Sequence, residues 1–208
     1  MVIWNLEDIY LEHDKEQILL DLKSKVDLFI SMKNLLNPNV SANDMLIFLK
    51  LDEEISSISS KLQIKAYLKH CEDVTNNEAI KDMQNLEILL THYHNELLFF
   101  EDFIKNLEES KALKLEKEVG IYQYYFHSIR KSIPHLRTLE EEKLINFKDL
   151  SGGSVLDTLR NIITGKFSFD FEGEKISEAK ISSYAQNEEE SKRVNSYNSL
   201  LSKYKDYQ

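Results

Sequence analysis

The chain has 208 residues, with 26 Lys and Arg set against 36 Asp and Glu, a formal net charge of −10. That length holds one domain or a domain and a half, and that charge repels a phosphate backbone unless the few cations gather on one face. Only five Gly and two Pro punctuate it, which favours long helices over many short strands.

A first helix is expected from Asp14, a good N-cap residue, with Ile18, Leu22, Val26 and Phe29/Ile30 at steps of three and four. Asn37-Pro38-Asn39 stops it. Ser41 opens a second helix with Met45, Phe48/Leu49, Ile55, Ile58, Leu62 and Ala66 on its inner stripe. Ser56, Ser57, Ser59 and Ser60 lie between them and read as facing water. After the turn at Thr75-Asn76-Asn77, a third helix carries Ile80, Met83, Leu86, Leu90, Tyr93, Leu97, Phe100 and Ile104 inward.

Glu108 to Lys111 reads as a break, and a fourth helix over 116–132 places Val119, Tyr122, Tyr125/Phe126 and Ile129 inward. Pro134 ends it. Thr138 with Glu141 three residues on fits a capping box, opening a fifth helix to about Leu150. Ser151-Gly152-Gly153 marks a sharp turn, and Ser154 is expected to cap a sixth helix to Ile163.

The period then changes to two. Phe167, Phe169 and Phe171 alternate with Ser168, Asp170 and Glu172, which predicts a strand turned at Glu172-Gly173 and returned through Lys175-Ile176. Ser177 caps a short helix. Asn187, with Glu190 at N3, opens a last one whose apolar face is Val194, Tyr197, Leu200/Leu201 and Tyr204, running to Gln208. The fold expected is mostly α, an elongated multi-helix array with one small β-hairpin near 166–176. Its parts are a long-helix array over 1–150 and, over 151–208, a short helix, the hairpin and further helices.

The candidate chemistry is sparse. His92, His94 and Glu96 form H-x-H-x-E, but on a helix His94 points about 200° away from His92, so they read as surface residues rather than metal ligands. His70 and Cys71 diverge by about 100°; without a second thiol, Cys71 reads as a small buried hydrophobe. Asp170 to Glu174 lacks the ligand spacing of a calcium loop and reads as a hairpin tip. Glu140–Glu142 and Glu188–Glu190 sit at helix starts, where the macrodipole favours anions. Lys111, Lys114 and Lys117 are interleaved with Glu108, Glu109, Glu116 and Glu118, a solvated surface. Tyr122, Tyr124, Tyr125 and Phe126 form a dense band, mostly core, whose outer hydroxyls could line a groove. No phosphate-binding glycine loop occurs. None of the six histidines precedes a glutamate, so there is no H-E-x-x-H. No catalytic, cofactor-binding or metal-ligating residue is therefore assigned. The lone cysteine excludes an internal disulfide and, with no signal peptide and no apolar run of about 18 residues, makes the cytoplasm the expected compartment.

Several segments carry a family resemblance. Trp4-Asn5-Leu6-Glu7-Asp8-Ile9-Tyr10, Leu98-Phe99-Phe100-Glu101, the run from Tyr122 to Phe126, Ile129-Arg130 with Pro134-His135, and Leu139-Glu140-Glu141-Glu142 resemble, in order, the N-terminal lobe of oligoendopeptidase F. The strand at Phe167 to Phe169, the turn Glu172-Gly173-Glu174, and the Ser177 and Ser191 regions follow in the same order. That family consists of thimet-type zinc metallopeptidases. The resemblance implies a non-catalytic lobe forming one wall of a cleft that admits short peptides, with zinc held by a catalytic half that this chain lacks. By the same reading the chain alone neither cleaves peptides nor binds zinc. Its partners are short peptides, through the intact enzyme, and the missing catalytic domain. The face that would dock that domain implies self-association of the fragment. Neither nucleic acid nor membrane is an expected partner. Composition and periodicity alone leave an alternative, a non-enzymatic acidic helical adaptor that buries a partner helix in a groove.

Overall fold

The computed structural model describes residues 4–205. The last three positions of the helix expected to reach Gln208 lie outside the described residues. Among those described, the chain is mostly α, with one two-stranded antiparallel sheet. It divides into two compact units, 1–153 and 154–208.

The first unit is built on three long helices. Helix α1 spans Lys15–Ser31 and buries Leu22, Val26 and Phe29. Asp14 stands at its N-cap position without capping it. Residues Glu12–Asp14 form a 3-10 turn, which leaves the Asp14 backbone in the helical region (φ −86°, ψ −12°). An N-cap residue needs an extended backbone to aim its side chain at the first amides. Helix α2, Ala42–Glu72, opens on a capping box in which Ser41 accepts from the Asp44 amide and the Asp44 carboxylate accepts from the Ser41 amide. Ser56, Ser57 and Ser60 face water and Ser59 is half-buried. Helix α3, Asn77–Asn106, starts where the Asn76 side chain accepts from the amides of Glu78 and Ala79.

The centre of this unit is aromatic. Phe29, Phe48 and Phe100, one from each helix, are almost inaccessible to solvent. The Phe29 and Phe48 rings meet edge to face at 5.0 Å, and Phe48 stacks on Phe100 at 5.4 Å. Such pairs add to the area term because ring edges carry positive charge and ring faces negative.

The helix expected over 116–132 is two helices. Helix α4, Glu109–Glu118, is capped by the Glu108 carboxylate, which accepts from the Ser110 amide. Helix α5 is Gln123–Ser132. Gly120 divides them at φ +61°, a left-handed conformation open to glycine at little cost. The break near 108 is correspondingly shorter than expected. Helix α6, Leu139–Ser151, has the expected capping box: Thr138 accepts from the Glu141 amide, and the Glu141 carboxylate accepts from the Thr138 amide at 2.9 Å. No residue of α6 is buried.

In the second unit, α7 spans Gly153–Thr164. Ser154 therefore lies inside its first turn, not at its N-cap. Strands β1 (Phe169–Phe171) and β2 (Glu174–Ile176) pair with Phe169 opposite Ile176. Phe167, Phe169 and Phe171 are all buried, as a period of two requires. Glu172 (φ 52°) and Gly173 (φ 86°) are both left-handed, the two-residue turn that matches strand twist. Helix α8, Glu178–Ser183, is capped by Ser177. Helix α9, Glu190–Lys205, presents only part of the expected face. Ser196 is buried, and Leu200 and Tyr204 pack on the phenylalanine cluster, while Val194 and Tyr197 are exposed. The Ser199 hydroxyl donates to the Asp170 carbonyl at 2.8 Å, which rotates α9 so that small polar residues meet the hairpin. Asn187 accepts from the Glu189 amide rather than from that of Glu190.

Candidate functional site

Helices α2, α3 and α5 bring together a group of polar side chains distant in sequence. The Tyr125 hydroxyl donates to the Asp52 carboxylate at 2.9 Å, and the Tyr122 hydroxyl donates to Glu53 at 2.5 Å. Asp52 is half-buried, and burial raises its pKa, against the pull of Tyr125 and His94. Burial likewise raises the pKa of Glu101, helped by the negative charges of Asp52 and Glu142 and opposed by His94. The Tyr125 hydroxyl is held protonated by burial and by Asp52. These groups form an acidic, partly dehydrated ledge.

Helix α6 lies over α3 beside that ledge. It is fixed by a buried polar contact: the Asn146 amide donates to the Asn95 side-chain carbonyl at 2.7 Å, and Asn95 is 5% exposed. On one flank of α6, His94, Glu101, Lys105 and Glu142 line a small hollow of about 90 Å³. On the other flank a hollow of about 360 Å³ is lined by Lys33, His92, Phe99, Lys143 and Phe147. Adjacent residues on α6 thus face opposite sides: Glu142 one hollow, Lys143 the other.

The histidine motif is dispersed as its helical spacing implies. His92 lies 3.9 Å from Glu96 with its side chain 59% exposed, whereas His94 borders the other hollow. Among the described residues no three His, Cys, Asp or Glu side chains are grouped to hold a metal ion. The donor sets here do not fit the zinc that the family resemblance assigns to the parent enzyme. Asp170 to Glu174 is the hairpin turn itself, with Asp170 opposite Lys175. Glu141 is held charged by the Thr138 amide and hydroxyl, and Glu189 by the Ser191 hydroxyl. The Glu141 carboxylate acts in the Thr138 capping box, and that of Glu189 pairs with Ser191 and Lys192 in the first turn of α9.

The aromatic band is less buried than its sequence suggests. Phe126 is buried, but Tyr124 is 81% exposed and Tyr125 38%. Ten residues make an amphipathic helix, and Tyr124, Tyr125 and Phe126, consecutive on it, cannot all face inward. Cys71 is half-buried rather than buried, and its sulfur engages the Tyr67 hydroxyl.

Two buried polar residues of α2 lie outside the apolar stripe expected for it. Lys65 is 5% exposed; it donates to the Tyr10 carbonyl at 2.6 Å and lies 4.1 Å from the Tyr10 ring centre. His70 is 2% exposed, and neither ring nitrogen has a hydrogen-bond partner. Burial lowers its pKa, with Asp73 opposing. The unfolded chain therefore binds a proton near pH 6.5 that the folded chain resists. Stability is expected to fall as pH drops below the ordinary histidine value of about 6.5. The raised Asp52 and Glu101 act in the opposite sense, gaining stability as pH falls. The urea midpoint of His70→Leu, measured against the parent at pH 7 and pH 5, isolates the histidine. The variant should lose less stability on acidification, and equal losses would refute the assignment.

A sequence model of the family described as Oligopeptidase F matches residues 104–169. That stretch contains the Tyr122–Phe126, Ile129-Arg130, Pro134-His135 and Leu139–Glu142 segments, but not the opening segment or α9. No curated protein matches the chain. Among solved structures, the oligoendopeptidase-F of Enterococcus faecium matches 95% of this chain at a TM-score of 0.75 and 17% identity. A candidate peptidase of Chlamydophila abortus matches 98% at a TM-score of 0.50 and 21% identity. The chain spans 40% and 36% of those two chains. In fold over nearly its whole length, and in sequence across residues 104–169, the chain resembles the N-terminal lobe of oligoendopeptidase F.

Proposed function

We propose that this chain is the non-catalytic N-terminal lobe of a zinc-dependent, cytoplasmic oligoendopeptidase that hydrolyses short peptides. In the intact enzyme it forms one wall of the substrate cleft. The observation that carries this reading is the fold match: 95% of the chain superposes on 40% of a known oligoendopeptidase-F. The distribution of apolar surface agrees with it. On α6, Leu144 is 61% exposed and Ile145 44%; on α7, Leu156 is 65% exposed and Leu159 51%. Apolar stripes of this kind on soluble helices mark surfaces that another body covers. We take that body to be the catalytic half, which would bring the metal, the activating glutamate and the closing wall.

The chain's own residues supply shape and charge. The ledge of Asp52, Glu53 and Glu101 with the Tyr122 and Tyr125 hydroxyls offers acceptors for peptide amides and for a terminal ammonium. Narrowness of the composite cleft would exclude folded proteins.

The test combines this chain with an H-E-x-x-H-bearing catalytic segment, in one polypeptide or mixed. A quenched octapeptide should be cleaved by the combination with zinc and by neither the chain nor buffer alone. Cleavage by the 208-residue chain alone would refute the proposal. So would equal cleavage by the catalytic segment with and without this lobe.

A further inference from the structure

We propose that the hollow beside α6 that holds Lys33 and Lys143 takes the free carboxylate end of a short peptide whose last side chain is apolar. This inference rests on the peptide-handling role and adds to it which end of the peptide is recognised, and where. The hollow, about 360 Å³, has aromatic walls in Phe99 and Phe147, and its polar lining sets Lys33 and Lys143 against the one carboxylate Glu96, which lies 3.9 Å from His92. Its size and makeup suit an apolar body with one polar end.

Lys33 is the distinctive member. Its ammonium lies 4.8 Å from the centre of the Phe99 ring. Among the described residues no carboxylate lies within ion-pair distance of it, although the chain carries ten more acids than bases. A cation held against a ring face and left without an anion is set to receive one. Lys143 has Glu140 at 3.3 Å, but that glutamate is 83% exposed, so the pair is loosely held and can be exchanged for an incoming carboxylate. The opposite hollow sets Glu101, Asp102 and Glu142 against Lys105 and Arg137, an excess of negative charge that disfavours the same group. Charge complementarity therefore assigns the carboxylate to one side of α6 only. Phe99 and Phe147 then contact the last side chain, which selects aromatic or branched apolar termini.

The experiment uses the 208-residue chain and three probes: acetyl-Ala-Ala-Ala-Phe with a free carboxylate, the same peptide as its C-terminal amide, and octanoate. Binding is followed by amide chemical shifts. The free acid is expected to saturate, to shift Asn95, Phe99 and Lys143, and to bind at least about tenfold tighter than the amide. Lys33→Gln, an exposed substitution that should leave the melting temperature unchanged, should bring the acid down to the amide's affinity. Equal binding of acid and amide, or retention of the difference in Lys33→Gln, would overturn the proposal. Octanoate binding as tightly as the peptide acid would show a general amphiphile surface and overturn it equally. Saturable binding that shifts Glu101 and Glu142 instead would overturn this site while leaving the peptide-cleft reading standing. Absence of saturable binding by any probe would overturn the site, and the cleavage assay would still decide the function separately.

Discussion

Phe48→Ala is expected to cost about 4 kcal/mol of unfolding free energy, the largest effect of any single substitution in the first unit. Phe48 is inaccessible to solvent and touches both Phe29 and Phe100. Removing the ring withdraws transfer free energy, leaves a cavity, and breaks two ring–ring contacts at once. Three helices meet at the vacated point, so the backbone cannot collapse into it without shifting all three. The transition should fall by roughly 8–16 °C in a domain of this size. Phe48→Leu, which fills most of the volume, should cost less than half as much. Ile121→Ala, at a side chain 90% exposed, should change stability by less than about 0.5 kcal/mol. Calorimetric melting of the three variants checks the series. A Phe48→Ala loss under about 1.5 kcal/mol would mean that the aromatic junction is not the centre of this unit.

Arg130→Met should follow, at roughly 2–3 kcal/mol. The Arg130 side chain is 13% exposed. One of its guanidinium nitrogens donates to the Ile104 carbonyl at 2.9 Å and the Leu107 carbonyl at 3.4 Å, and another to the Glu109 carboxylate. These carbonyls belong to the end of α3, where the helix can no longer satisfy them. Arg130 from α5 therefore acts as the C-terminal cap of α3 and also pins the start of α4. Methionine keeps the stem and abandons the carbonyls, which are costly to leave unpaired when buried. Arg130→Lys should rescue less than half of the loss, because an ammonium cannot span the three acceptors as a planar fork does. Urea unfolding of both variants decides this. Full rescue by lysine would show that charge alone matters. This also gives a physical reason for the Ile129-Arg130 element of the family-like segment: it locks one helix end to the next helix start.

How much of this was legible depended on whether the controlling contact is local. Ser41, Thr138 and Ser177 act within three or four residues of themselves, and each opens a helix where its spacing implies. Asp14 has the same chemistry, but the 3-10 turn before it sets its backbone wrongly, which no pattern of side chains reveals. Gly120 was the visible clue to the split between α4 and α5. A lone glycine inside an apolar period is a weaker signal than the period itself. The face of α9 is legible in part: Leu200 and Tyr204 pack as their spacing implies, while Val194 and Tyr197 are exposed and the Ser199 contact to the hairpin is not visible in the apolar pattern. The polar ledge was least legible. Tyr125 and Asp52 lie 73 residues apart, and nothing in either helix's spacing pairs them. His70 lies beyond the stripe expected for α2, and its lack of any partner is a property of the packed unit alone.

Helix α6 has a further consequence. It covers α3 without burying a single one of its own residues, so detaching it exposes little apolar area. Its backbone amides should exchange with solvent through a partial opening of low free energy, ahead of those of α2 and α3, which require global unfolding. Because α6 walls both hollows, that one detachment empties them together. An occupant of either would therefore be recorded as slowed deuterium uptake along residues 139–151.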